Sequence, residues 1–400
     1  MPTSLVVRWL ARSKTTMAES AVDLLLTTLR LRGDIDAADL RRRWAALNVA
    51  GLAALTEYEG CALWLYSRLR DLRILQAAPP AFASWLTARA HYLAARNLRV
   101  DAQSDTVVRL LNSGAVPHVL LKGAARRRAA DTYPYVDARA TTDVDVLLPA
   151  DLARPTWHRM RAAGFTAACD VARYDGHFHL PPIANAWGVR VELHTSTSLE
   201  VQPVEAWRRI SDTARVVQRP DGPTRIPAAT ELFWHALVHA AVSWPDAFRI
   251  RYLQDAAAVW ASCEHIDWAE VANRLKSSEL GDAELAKRWL SAAAWILGVP
   301  ETNGCPVELP FVDLPRLLRW RLFLFRRLQL GGATESRSIW RRNPTSRARR
   351  LLIDEGTRTE LGLPLTPPPR GATQLRRAAR RVLAGAARVC YRAWRTFQQA

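Results

Sequence analysis

From about Met17 to Ser113, apolar residues recur at helical spacing. Leu24, Leu25, Leu26, Leu29 and Leu31 form one segment. Asp34 to Leu47 opens with two acids and continues in helix formers, and Glu57 to Leu69 carries Leu63, Leu65, Tyr66 and Leu69. Pro79-Pro80 breaks the chain, and Ala81 to Leu111 reads as one or two long helices. The pattern predicts a helical domain over residues 1–115 with no catalytic cluster of its own.

Near Val116 the period changes from 3.6 to 2. Val119, Leu120 and Leu121 form an apolar run that ends at Lys122-Gly123, and Asp143-Val144-Asp145-Val146-Leu147-Leu148 follows as a second strand. Pro149 ends that strand, and Asp151 is placed to cap a helix through Leu152, Trp157 and Met160, which Gly164 terminates. Phe178–Leu180 and Val189–His194 are expected as two further strands, separated by Pro181-Pro182 and Ala186-Trp187-Gly188. From Pro227 the helical period returns, with Thr230 opening a helix that carries His235 and His239 one turn apart. The predicted organisation is α+β: a small mixed-sheet core at 116–200 set between mainly helical segments at 1–115 and 201–310. A helical or irregular extension at 311–368 and a basic amphipathic helix at 369–400 complete the chain.

Alternation gives the strands their chemistry. Side chains on a strand alternate faces, so Asp143 and Asp145 share one face while Val144 and Val146 face the core. In the Val189–His194 strand, Val191 and Leu193 share one face, and Glu192 lies on the other with Arg190 and His194. Two carboxylates on one face repel unless a cation lies between them, and a divalent ion held by carboxylate oxygens is the common remedy. If the two strands pair, Asp143, Asp145 and Glu192 converge on one or two Mg²⁺ ions, as phosphoryl or nucleotidyl transfer requires. His177, His179 and His194 lack the helical spacing of a zinc site, and hard Mg²⁺ prefers oxygen, so His194 is expected to support the ligands from behind. The His235–His239 pair lacks the intervening glutamate of a metalloprotease helix and is read as packing.

These residues resemble the nucleotidyltransferase superfamily, with its DNA polymerase beta-like core. More narrowly they are similar to an uncharacterised bacterial nucleotidyltransferase family. The resemblance rests on Leu120-Leu121-Lys122-Gly123, on Arg139 four residues before Asp143-Val144-Asp145, and on Glu192-Leu193-His194; it runs from about Glu57 to Leu275. It departs from the superfamily in having Gly123-Ala124 where Gly-Ser or Gly-Gly is usual. The resemblance implies a nucleotidyltransferase core and an enzyme that moves a nucleoside monophosphate, or a phosphoryl group, from ATP or another NTP. Asp143, Asp145 and Glu192 would be catalytic and metal-binding; Lys122, Gly123 and Arg139 would handle the triphosphate, with Arg126 to Arg128 nearby. The resembled group also has an acid at the place of Asp255, which is expected to reach back towards the core. The acceptor is not named: a small molecule, a peptide, a glycan or an RNA all fit. A toxin-type enzyme acting on tRNA and an inactive binding protein on the same fold are the competing readings.

Charge and composition change the picture little. The apolar fraction of 49% is that of a globular chain. Five scattered cysteines argue against a disulfide framework or a zinc site. No uncharged apolar run is long enough for a membrane span, and Arg8 interrupts the only N-terminal candidate for a leader, so a cytoplasmic enzyme is expected. The formal charge of +18 is almost all arginine. It reads either as solubility plus compositional bias or as attraction to an anionic partner. Against that bias Lys122 stands out, because lysine occurs at only three other positions (Lys14, Lys276 and Lys287). A compact ammonium beside a glycine at a strand end suits a phosphate. The proline-rich stretch Leu363–Pro369 is a stiff linker. The stripe of Leu375, Val382, Leu383, Cys390, Trp394 and Phe397 beyond it is flanked by arginines without acids. That helix either docks on the body or offers an anionic surface such as RNA or lipid a place to bind.

Overall fold

A computed structural model describes residues 15–298 apart from 32, 34, 130–135, 199–200, 220–221, 243–248, 263–264 and 277–282, together with Leu318. All of these fall within one compact unit, residues 1–336. Leu318 aside, the expected extension at 311–368 and basic helix at 369–400 lie outside the described residues.

Among the described residues five α-helices come first: α1 (Thr15–Leu29), α2 (Ala37–Ala45), α3 (Leu52–Glu59), α4 (Ala62–Asp71) and α5 (Pro80–Ser113). Asp36 caps α2, its Oδ1 accepting from the N–H groups of Ala38 and Asp39, both at 2.9 Å. The segment expected to run unbroken from Glu57 to Leu69 is two helices. Gly60 adopts a left-handed φ of 69° between them, a conformation that ends α3 and that a β-carbon would disfavour. α5 is a single helix of 34 residues, about 50 Å long. Its buried stripe, from Phe82 through Leu86, Leu93 and Val100 to Leu111, includes Asn97 among the apolar residues.

The sheet has seven strands: β1 (Val119–Leu120), β2 (Asp143–Leu147), β3 (Thr166–Ala167), β4 (Ile183–Ala184), β5 (Arg190–His194), β6 (Arg215–Val217) and β7 (Thr224–Ile226), in the order β3-β4-β5-β2-β1-β7-β6. It is mixed: β2–β5 and β1–β7 are parallel and the other pairs antiparallel. The sheet does not end near residue 200, because β6 and β7 extend it beyond β1. Nor is Phe178–Leu180 a strand. His179 makes one isolated bridge to His194. Pro181 and Pro182 follow at once, and without N–H groups they cannot continue a ladder.

Seven more α-helices follow among the described residues: α6 (Lys122–Arg126), α7 (Ala150–Ala162), α8 (Pro203–Thr213), α9 (Ala229–Val242), α10 (Ile250–Ser262), α11 (Trp268–Lys276) and α12 (Ala283–Leu297). Pro149, not Asp151, takes the cap position of α7; Asp151 lies inside the first turn, where its charge meets the helix dipole. One face of the sheet, with Val144, Val146, Val191 and Leu193, belongs to a continuous buried cluster that runs from Ala21 to Leu318. Helices that precede the sheet in the chain and helices that follow it therefore share the core on that face. On the other face, Val119, Leu121 and Leu147 pack against Ile210 of α8. The fold is α+β, a small mixed sheet embedded among helices. No helix among the described residues is long and apolar enough to cross a membrane.

Candidate active site

The site is built by the register of the two central parallel strands. Asp143 lies beside Arg190, Asp145 beside Glu192, and Leu147 beside His194. The alternation that buries Val144 and Val191 thus turns Asp145, Glu192 and His194 to one face, next to the apolar patch under α8. One side-chain atom from each of Asp145, Glu192 and His194 lies within 4.8 Å of the others. Asp143 shares their face at the strand's N-terminal end but is not a member of that group, which His194 joins instead.

Asp145 is fully buried and holds two donors on one oxygen. Lys122 Nζ donates to its Oδ1 at 2.6 Å, and His194 Nε2 reaches the same atom at 2.8 Å. His194 Nε2 is also 3.6 Å from Glu192 Oε2, and its Nδ1 faces the Ser196 carbonyl at 3.4 Å. All of these partners accept hydrogen bonds, so the ring acts as a donor at both nitrogens. Its pKa is raised accordingly: burial and Lys122 favour the neutral ring, but the hydrogen bonds to Asp145 and Glu192 outweigh them. Burial would raise the Asp145 carboxyl, yet the Lys122 ammonium and the His194 hydrogen bond hold it well below the usual range. Glu192 follows the same pattern, held ionised at about 2 against burial by the His194 hydrogen bond and Lys122. Asp143 is pushed up by burial and by the neighbouring Asp145 charge.

One atom stays unsatisfied. Asp145 Oδ2 is buried and has no hydrogen-bond partner. A buried, ionised oxygen without a donor costs stability, and such atoms concentrate where a ligand or ion completes the site. Oδ2 together with Glu192 and the open side of Asp143 is an oxygen-rich donor set of the kind a hard divalent cation takes.

Lys122 follows β1 after one residue, Leu121, whose N–H donates to the Asp145 carbonyl at 2.9 Å. It adopts φ 45°, a left-handed conformation that costs an ordinary residue about 1–2 kcal/mol. From this position its side chain reaches Asp145 in the middle of β2.

Gly123 and Arg139, expected to handle the triphosphate, meet in a strut beside the site. Arg139 forms a two-pronged pair with Asp255 of α10, Nε to Oδ1 at 2.8 Å and Nη2 to Oδ2 at 2.9 Å, and its Nη1 donates to Thr141 Oγ1 at 2.9 Å. Asn97 of α5 clamps the same loop, donating to the Arg139 carbonyl at 2.8 Å and accepting from Thr141 N–H at 2.9 Å. A β-carbon at Gly123 would lie 2.5 Å from both Arg139 Nη1 and Thr141 Cγ2. The glycine is therefore needed for this strut to pass. Arg126 adds to it, with Nη1 3.4 Å from Asp255 Oδ2 and Nη2 donating to the Leu232 carbonyl at 2.9 Å. Arg127 pairs with Asp101 and Arg128 with Asp105. The arginines of this segment are thus engaged by carboxylates of α5 and α10, and Asp255 does reach back to the core.

Histidines line the remaining sides. His179 lies with its ring centroid 5.2 Å from that of His194 and 4.3 Å from that of His177. Burial, then the His194 charge, lowers it to about 4. His235 and His239 of α9, expected to be mere packing, sit near the site. Both are kept neutral first by burial and then by the Lys122 charge, His239 down to about 3. Sequence reasoning missed that proximity.

A family model for uncharacterised nucleotidyltransferases matches residues 45–295. The chain belongs to that family. The match contains every residue of the site just described, from Asn97 to Asp255. A solved antigenic nucleotidyltransferase-like protein from Paracoccidioides brasiliensis is similar at 13% identity, over 52% of this chain and 96% of its own, with a TM-score of 0.36. No curated protein matches the chain. In this nucleotidyltransferase family member, the two carboxylate-bearing strands β2 and β5 lie side by side, and Lys122 reaches Asp145.

Proposed function

We propose that this nucleotidyltransferase moves a nucleoside monophosphate from an NTP to an acceptor in a divalent-cation-dependent reaction. The observation that carries the reading is the convergence of Asp145 and Glu192, cross-strand neighbours, around a buried Asp145 oxygen with no donor of its own. Asp143, Asp145 and Glu192 are the residues that would hold Mg²⁺, with His194 positioning Asp145 and Glu192. When bound, such an ion supplies charge neutralisation and lowers the pKa of an acceptor hydroxyl.

The chain's own groups do the rest. Ionised Asp145 and Glu192 present acceptor oxygens at neutral pH. Lys122 carries an ammonium on a flexible stem, able to contact both Asp145 and an incoming phosphate. The acceptor hydroxyl oxygen attacks the α-phosphorus and gives up its proton to water, the bond from that phosphorus to the bridging oxygen breaks, and pyrophosphate leaves with that electron pair. The Arg139–Asp255 strut fixes the loop before β2, so that the carboxylates do not move as charge shifts. The acceptor is a small molecule, peptide, glycan or RNA.

The test is equilibrium binding of a fluorescent NTP analogue with and without Mg²⁺. Wild type should bind in a Mg²⁺-dependent way, and Asp145→Asn should lose that dependence. Mg²⁺-independent binding of equal strength in both proteins would contradict the reading.

A further inference from the structure

Three carboxylates on one sheet face repel a triphosphate, and the one lysine among them is already bound to Asp145. Further positive charge must come from elsewhere. The arginines of the motif segment do not supply it, because Arg126 and Arg139 share Asp255 while Arg127 and Arg128 hold Asp101 and Asp105.

Arg251, in the first turn of α10, is placed differently. Among the described residues it makes no ion pair; its one hydrogen-bond contact is Nη2 to the Tyr252 hydroxyl at 3.5 Å, and its Nε is buried without a partner. The fold nevertheless builds a slot for it. Glu59, fully buried at the end of α3, accepts the Ile250 N–H at 2.9 Å and so fixes the start of α10. A β-carbon on the next residue, Gly60, would lie 2.8 Å from Arg251 Cδ, so the glycine leaves the arginine its path.

Tyr252 stacks on His239, with centroids 4.5 Å apart and planes at 29°, so Arg251, Tyr252 and His239 form one layer. His239 is half-buried, and no hydrogen bond to its ring nitrogens occurs among the described residues. The bond from Arg126 to the Leu232 carbonyl lays α9 against α6, so the turns of α9 that carry His235 and His239 lie near Lys122. The Arg251 charge is felt at Asp143, at His239 and at Asp255.

We infer that Arg251, with His239 beside it, forms a polyphosphate subsite on α9 and α10, facing Asp143 and Lys122, and that it holds the phosphates that leave as pyrophosphate. The inference rests on the nucleotidyl-transfer reading for the fate of those phosphates. The guanidinium offers the fork that fits two phosphate oxygens, and the neutral His239 ring adds one N–H donor.

The test is equilibrium titration of the full chain with ATP, AMP and inorganic pyrophosphate in Mg²⁺, for wild type, Arg251→Gln, Arg251→Lys and His239→Gln. Arg251→Gln should weaken ATP and pyrophosphate about tenfold or more and leave AMP unchanged, with Arg251→Lys between it and wild type. His239→Gln should shift the same two ligands by less. Should Arg251→Gln fold poorly, Arg251→Lys and His239→Gln carry the comparison. Equal binding of pyrophosphate by wild type and the variants, or an equal loss of AMP, would overturn the subsite and leave the transfer reading standing. Wild type that binds pyrophosphate but no NTP would overturn the transfer reading and leave the subsite. Wild type that binds neither overturns both.

Discussion

Lys122 Nζ lies 2.6 Å from Asp145 Oδ1, and the carboxylate it meets is wholly buried. The ammonium is held charged against burial by Asp145, Glu192 and Asp143. It therefore occupies the electrostatic position that a divalent cation would share. Removing one partner of a buried ion pair costs roughly 3–5 kcal/mol, because the other charge is left uncompensated.

Lys122→Met should accordingly lower the melting temperature, and Mg²⁺ or Mn²⁺ should restore more of it in the variant than it adds to wild type, since an ion bound only by the folded state stabilises that state. NTP affinity should fall in the same variant. Thermal melts over a metal titration check this. Equal metal-induced shifts in both proteins would mean that the lysine and the ion do not share Asp145.

Gly123→Ala tests the strut. Its β-carbon would meet Arg139 and Thr141 at 2.5 Å, and overpacking of this kind costs about 1–3 kcal/mol. Asp255→Asn should cost more, roughly 3–5 kcal/mol, by stranding Arg139 and Arg126. Denaturant unfolding reads both. If either variant kept full stability and lost only NTP affinity, Gly123 and Arg139 would be phosphate contacts after all.

Acid should destabilise the protein early. His239 stays neutral in the fold down to about 3, whereas the unfolded chain protonates it near 6.5. Between those values the unfolded state binds the extra proton, so stability falls as pH falls, by about 1.4 kcal/mol per unit for that group. Asp255 acts lower. Its folded pKa of about 2 lies below its ordinary 3.8, so its contribution is complete above about pH 4 and is lost as pH drops towards 2. Melting temperatures should decline from pH 7 to pH 4, and His239→Gln should flatten that decline. An unchanged slope in the variant would show that His239 does not carry it.

The carboxylate strands were legible because period-2 alternation is a strong signal over five residues, and the pairing of Asp145 with Glu192 follows once β2 and β5 are adjacent. The two-residue strands β3 and β4 are too short to leave a period. The two-pronged pairing of Arg139 with Asp255 was not legible, because Asp255 lies 116 residues away and arginine is everywhere in this chain. Arg251 was hidden by the same bias. From Leu232 to Val238 every residue of α9 is buried, so no polar face reveals which way His235 points. The role of His194 was half visible: its face followed from alternation, but its two contacts on Asp145 and Glu192 depend on register.

The central claim is tested most directly by incubating the protein with Mg²⁺, candidate acceptors and NTP labelled at the α or, separately, the γ phosphate. Nucleotidyl transfer predicts α label in the acceptor, γ label only in pyrophosphate, and loss of transfer by at least a hundredfold in Asp145→Asn, since a charge that holds the reacting groups is removed. Acceptor labelled only from the γ position, or α transfer undiminished in Asp145→Asn, would contradict the account.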